Sequence, residues 1–366
     1  MSVGGVMSKV KPYLLVIFLQ IGFAGMYTIA VASLKRGMNH YVLVVYRNGI
    51  AAAVMAPFAL WFERKTRPKM TLRVFLKIIT LGLLEPVLDQ NLSYMGQNNT
   101  SAGFGSTLFN TIPAITFVMA VIFRMEKVNL KHRRSQAKVI GTVVSVLGAL
   151  LMIFYDGPVV EFFWSKGRTH HSTSGANNGG GNWVSGTIML LASCVFWSGF
   201  YIVQANTLES YPAELSLTTL ICFSGSVLSS AVTIIMEGWT AKPWSIGFDM
   251  RLITVIYSGV ICSGVAYYVQ GIVMKERGPV FVTSFNPLCM IVTTLLGSII
   301  LAEEITLGRI LGAVVIVSGL YSLIWGKGND HLTVPSDKSG KNNGSMDLPT
   351  TAAVTVSQSK LELQVK

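Results

Sequence analysis

Apolar residues run along this chain in blocks of about twenty, the length an α-helix needs to cross a bilayer. Polar and basic residues collect in the gaps. The blocks fall near 12–32, 42–61, 74–95, 102–123, 136–155, 184–206, 215–236, 250–272, 279–301 and 307–326. This pattern predicts an all-α polytopic membrane protein with ten transmembrane helices. Residues 1–11 precede the first helix, 156–183 separate the fifth from the sixth, and 327–366 follow the last. Composition agrees, since 51% of residues are hydrophobic and 13% charged, a balance that a soluble domain of this size would not keep in solution. Lys9, Lys11 and Ala30-Val-Ala32 resemble the ends of a secretory leader. The apolar run before Ala30 is already long enough to be a span, however, and the first block is expected to stay in the protein.

The pattern also repeats. Gly141-Thr-Val-Val-Ser-Val-Leu-Gly148 is echoed by Gly312-Ala-Val-Val-Ile-Val-Ser-Gly319, Phe109-Asn110 with Pro113 by Phe285-Asn286-Pro287, and Gly25-x-Tyr27 by Gly199-x-Tyr201. A duplication accounts for this, with copies at 12–155 and 184–326. Five spans in each copy is an odd number, so the second inserts upside down relative to the first, as in transporters that rock between two mirror-related states.

The net charge of +12 follows the membrane rather than nucleic acid. Lys and Arg gather at 64–73 and 124–138, on the side that also holds Lys9, Lys11, Lys275, Arg277 and Lys327. The other side is weakly basic, and the positive-inside rule puts both termini in the cytoplasm. One connection, Glu209–Glu214, belongs on the basic side yet carries no Lys or Arg. Residues 156–183, rich in Gly, Ser and Asn, read as a flexible extracytoplasmic linker. The polar tail from 327 reads as disordered and cytoplasmic. Cys194, Cys222, Cys262 and Cys289 lie inside spans as small packing residues. The five histidines lie in loops or the tail without acidic partners, so neither a metal centre nor a cofactor is expected.

Chemistry concentrates in the third span, at Glu85-Pro86-Val-Leu-Asp89-Gln90-Asn91. Glu85 and Asp89 are four apart and share a helix face. Carboxylates at membrane depth are costly unless paired, protonated or wetted, so both are expected to face the interior. Pro86 removes a backbone donor and is expected to break or kink the helix. Arg47 in the second span stands at a depth similar to Asp89, so an Arg47–Asp89 ion pair is expected. Glu85 is left as the unpaired acid and a candidate for reversible protonation, because desolvation works against its charged form. A static Arg47–Glu85–Asp89 network serving packing alone is the competing reading. Asn110, Gln204, Asn206, Tyr267, Gln270 and Asn286 are further candidates for a substrate pathway. Pro113 and Pro287 are expected to break helices at corresponding places in the two copies. Gly308 and Gly312 form a small-xxx-small face; packing within the chain is the default, and docking of a second copy the sharper reading.

The stretches Glu85–Leu92, Phe109–Phe117, Phe123–Val128, Gln136–Gly141 and Gly278–Leu288 together resemble the plant nodulin-like, EamA-type branch of the drug/metabolite transporter superfamily. The resemblance spans about 9–327. It implies ten spans in two EamA repeats, both ends cytoplasmic, and a small-molecule solute moved by alternating access without enzymatic chemistry. Members of the Walls Are Thin type move auxin. Members of the Usually Multiple Acids Move In and Out type move amino acids, often in both directions at the plasma membrane, and the intact Glu85-Pro-x-x-Asp89-Gln-Asn91 looks more like these. The resemblance leaves the tonoplast open as an alternative membrane and auxin or another organic acid as an alternative solute. A non-transporting scaffold or receptor is the alternative of another class, against which the inverted duplication speaks.

Overall fold

The structure, a computed structural model, describes residues 3–100, 102–126, 131–155, 157, 158, 160, 180–238, 244, 245, 247–300 and 306–327. The linker and the tail foreseen from the sequence lie almost wholly outside them. All elements among the described residues are helical. In chain order they are α1 (Val3–Lys35), α2 (His40–Phe62), α3 (Leu72–Gly82), which runs through a π-helical segment (Leu83–Asp89) into α4 (Gln90–Asn99), and α5 (Ala102–Leu108). A 3-10 turn (Phe109–Thr111) leads to α6 (Ile112–Ile122), followed by α7 (Arg133–Phe154), α8 (Gly180–Ser210), α9 (Glu214–Glu237) and α10 (Met250–Tyr257). A second π-helical segment (Ser258–Val265) joins α10 to α11 (Ala266–Arg277). Then come α12 (Pro279–Thr283), α13 (Asn286–Ile300) and α14 (Leu307–Lys327).

The boundaries follow local chemistry. Asn39 opens α2 by accepting from the backbone N–H groups of Tyr41 and Val42, Thr71 opens α3 through Val74, and Asp249 opens α10 through Arg251. Gly278, at φ 80, ends α11 and turns the chain into α12, a backbone conformation that favours glycine.

Among the described residues, seven helical stretches are long and apolar enough to cross a membrane: Val10–Leu34, His40–Phe62, Phe104–Ile122, Trp183–Ser210, Glu214–Glu237, Met250–Arg277 and Pro279–Ile300. The sequence reading had ten. The expected third span is one continuous helical run from Leu72 to Asn99, but Lys77, Glu85 and Asp89 dilute its hydropathy. α7 opens on Arg133, Arg134 and Lys138, and the apolar part of α14 is the short stretch Ile310–Leu323. Large apolar side chains such as Phe18, Trp61, Phe223, Ile235 and Tyr321 stay exposed on the outside of the bundle, as suits a surface facing lipid.

Corresponding helices of the two copies pack against each other in opposite directions. In the α7–α14 pair, Ser322 Oγ donates to the Ala137 carbonyl at 3.1 Å, Gly141 lies against Gly319 and Leu323, and Gly148 lies against Gly312 and Ile316. Rising numbers on one helix meet falling numbers on the other. In the α2–α9 pair, Ser226 donates to the Val45 carbonyl while Glu63 accepts from Leu215, again antiparallel. The remaining contacts exchange in kind: α1 packs on the π segment after α10 through Gly22 and Cys262, and its counterpart α8 packs on α4 through Gly186 and Gly96. Antiparallel pairing of equivalent helices is the arrangement that a two-fold axis across the helices, not along them, would produce.

The echoed glycines are what make the α7–α14 seam close. A Cβ at Gly141 would stand 2.6 Å from the Gly319 carbonyl oxygen and 2.7 Å from the Leu323 nitrogen. Gly308 and Gly312 are buried in the same region. The face considered for a second copy is therefore used inside the chain, because two glycine-lined helices gain most by closing on each other.

The dissenting connection between α8 and α9 borrows its cations. Arg67 Nε donates to Ser216 Oγ at 3.0 Å, Lys77 Nζ to Ser210 Oγ at 3.1 Å, and Lys275 Nζ to the Pro212 carbonyl at 2.9 Å and to Glu214. Glu63, at the end of α2, caps α9 by accepting from Leu215 N at 2.9 Å and Ser216 N at 2.7 Å. This connection thus sits at the same end of the bundle as the basic 64–73 segment.

Candidate functional site

The two acids of the third span meet the second copy at its seam with the first. Arg47, Glu85 and Asp89 are all buried. Glu85 accepts from the hydroxyl of Tyr267 and, at 3.0 Å on each carboxylate oxygen, from Gln90 Nε2. Its Oε1 lies 4.0 Å from a terminal nitrogen of Arg47. Arg47 is oriented by Nε donating to Ser263 Oγ at 2.7 Å and by a terminal nitrogen donating to the Tyr94 hydroxyl at 3.1 Å. Asp89 accepts from Ser193 through Oδ1. Tyr267 and Ser263 belong to the α10–α11 run and Ser193 to α8, so both acids and the arginine find partners in the second copy.

The expected Arg47–Asp89 pair is not formed; the ion pair is Arg47–Glu85. The backbone supplies the reason. Around Pro86 the helix widens to π geometry instead of breaking, and Gln90 N–H bonds to the Glu85 carbonyl five residues back. That wider turn sets the Gln90 amide over the Glu85 carboxylate and directs Asp89 to α8. Pro86 itself packs against Gly225, where an added Cβ would stand 2.5 Å from the ring. The second copy carries its own π segment at Ser258–Val265, and the repeat alignment puts Cys262 opposite Glu85 and Ala266, the first residue of α11, opposite Asp89. Nothing in the apolar periodicity had announced either segment.

The other expected residues divide. Asn48 Nδ2 donates to Gln90 Oε1 at 3.2 Å, tying α2 to the site. Asn91 turns away to the Val87 carbonyl at 2.7 Å. Gln204 and Gln270 bond to each other at 2.6 Å, with Gln204 Nε2 at 3.4 Å from the Tyr267 carbonyl. Asn206 is exposed, and its backbone carbonyl accepts from Lys77 and Ser210; it lies on the outer face of α8, between the buried Ala205 and Thr207. Pro113 opens α6 after the 3-10 turn, and Pro287 opens α13 after the turn at Ser284 and Phe285. The asparagines at these two breaks are buried with an unpartnered amide atom each, Oδ1 of Asn110 and Nδ2 of Asn286. Gln20 Nε2 approaches Asn286 Oδ1 at 3.3 Å.

A narrow cavity of about 10 Å3, on the order of a single water, is lined by polar residues, Arg47, Glu85, Asp89, Gln90, Ser93 and Tyr94, together with Phe23, Met26, Tyr27 and Trp197. Sequence reasoning passed over Tyr27, Tyr94, Ser193, Trp197 and Ser263. Gly25-x-Tyr27 had served only as a marker of the repeat, and serines or aromatics inside apolar spans carry no signal of their own.

Compared with known proteins, the chain matches the EamA-like transporter family twice, over residues 11–154 and 184–325. It belongs to that family. Among its relatives are WAT1-related proteins of Arabidopsis thaliana, one 54% identical over 92% of this chain and 89% of the relative, another 50% identical over 96% of this chain and 94% of the relative. A solved crystal structure superposes at a TM-score of 0.59 with 15% identity, covering 84% of this chain and 97% of the other, which shows a common fold. The protein is an integral membrane transporter of small molecules.

Proposed function

We propose that this transporter carries amino acids in both directions by alternating access, its ten helical passages forming two inverted five-helix repeats that rock about the buried Arg47–Glu85–Asp89 seam. The observation that carries the reading is the partnering of both acids and the arginine across that seam, where rocking of one copy against the other would make and break those bonds. The cavity of about 10 Å3 is far below the roughly 300 Å3 of an ordinary small-molecule site, so the site must widen to admit an amino acid. A zwitterion needs an anion for its ammonium and donors for its carboxylate; one of the two acids, Glu85 or Asp89, supplies the first, and Arg47 with the Asn110 and Asn286 amides the second. The basic end of the bundle faces the cytoplasm on the positive-inside rule, and the plasma membrane is the proposed site of action.

Uptake by proteoliposomes holding the purified protein tests this with labelled amino acids beside labelled auxin. Amino-acid flux above that of empty liposomes, driven by its own gradient in either direction, is expected. Flux of auxin alone would replace the amino-acid reading with an organic-acid one, and no flux of any solute would remove the transport mechanism.

A further inference from the structure

Of the two acids of the third span, Glu85 is saturated and Asp89 is not. Glu85 has an ion pair and accepts on both oxygens, from Gln90 and Tyr267. Asp89, 5% exposed, has a single hydrogen bond, from Ser193 to Oδ1, and lines the cavity. Among the described residues, Arg47 is the one cation lining that cavity, and it is already held by Glu85, Ser263 and Tyr94. Two carboxylates against one guanidinium leave a surplus negative charge in a water-poor place, and a buried charge without a partner is strongly unfavourable.

Aromatic residues share the cavity lining with Asp89. Trp197 packs edge-on to Phe23 with ring centroids 5.9 Å apart and to Phe109 at 5.7 Å, and Tyr27 lies 5.4 Å from Phe109. Phe23, Tyr27 and Trp197 themselves line the cavity. Aromatic faces beside a carboxylate favour an organic cation over an anion, since the ring quadrupole and the carboxylate attract the same charge.

We infer that Asp89, with Trp197, Tyr27 and Phe23, forms the subsite for the ammonium group of the transported solute, so that a cationic nitrogen and not a carboxylate is the feature required for recognition. This rests on the transport reading above and sharpens it. Glu85 is a positioning residue in this scheme: it fixes Arg47 and Gln90 and leaves Asp89 as the ligand.

An indole series separates the charges while holding the ring constant. Binding of tryptamine, tryptophan, indole-3-acetate and indole-3-propionate to the full-length protein in detergent is measured by displacement and by isothermal titration, and the same compounds are tested for flux in proteoliposomes. Tryptamine and tryptophan are expected to bind, and the two acids to bind at least about tenfold more weakly, the scale of one lost charged hydrogen bond. Asp89→Asn is expected to abolish that preference, and Trp197→Leu to weaken tryptamine binding without restoring the acids. Preference of the wild type for the acids, no binding of either amine, or an Asp89→Asn protein that folds and keeps its amine preference would overturn the assignment. If Asp89→Asn does not fold, the wild-type series and Trp197→Leu decide. Flux of the acids in the same liposomes would leave transport standing while refuting the ammonium subsite; absence of flux for all solutes would remove both.

Discussion

Glu85 and Asp89 sit four residues apart, yet the structure gives them different work. Removing one partner of a buried ion pair leaves the other uncompensated, at a cost of about 3–5 kcal/mol. Glu85→Gln should therefore destabilise the protein on that scale by stranding Arg47, and the Arg47→Met/Glu85→Gln double variant should recover part of the loss. Asp89→Asn should cost much less, because Ser193 can still donate to the amide oxygen and no cation is stranded. Unfolding in detergent for the three variants and the wild type checks this, and equal losses for the two acid substitutions would show that Asp89 is paired as tightly as Glu85. The presence and burial of this cluster were legible from the rarity of carboxylates in an apolar span. Which acid meets Arg47 was not, because that depends on a π turn whose extra residue leaves no trace in hydrophobic periodicity. Tyr267 stood out as a polar residue in its span, but its pairing with Glu85 is a contact between copies that no local pattern encodes.

At the scale of elements, close approach and capping decide which helices stay together. Gly141→Ala would push a methyl into the Gly319 carbonyl and the Leu323 backbone, groups that cannot rotate aside. Overpacking of this kind costs about 1–3 kcal/mol. Gly247→Ala, with nothing within 4 Å of the added carbon, should be neutral in the same melting experiment. Glu63→Ala removes the acceptor for two N–H groups at the start of α9, a capping loss of about 1 kcal/mol. Faster hydrogen exchange at Leu215 and Ser216 should accompany it, whereas unchanged exchange would mean that water replaces the cap without penalty. The echo of Gly141 and Gly148 in Gly312 and Gly319 disclosed the repeat from sequence alone. That the two motifs pack on each other, and so occupy the face considered for dimerisation, became visible only once α7 and α14 were seen side by side. Length and apolarity likewise placed a helix at 74–95, where the structure has one continuous run from Leu72 to Asn99, but gave no sign of the π segment inside it.

For the whole molecule, the account holds that equivalent helices run in opposite directions and that the two copies open alternately at opposite ends around the acid–arginine seam. At one end Glu63 and Arg67 hold the start of α9; at the other, Arg251 donates to the Arg36 carbonyl at 2.9 Å. Arg64 and Glu209 are exposed at the first end, Arg36 and Asp249 at the second. Spin labels at 64 and 209, and in a separate protein at 36 and 249, give the distance between copies at each end by pulsed electron resonance. With saturating transported solute the account predicts reciprocal changes, one pair lengthening as the other shortens. Distances that stay fixed at both ends, or that lengthen together, would contradict it.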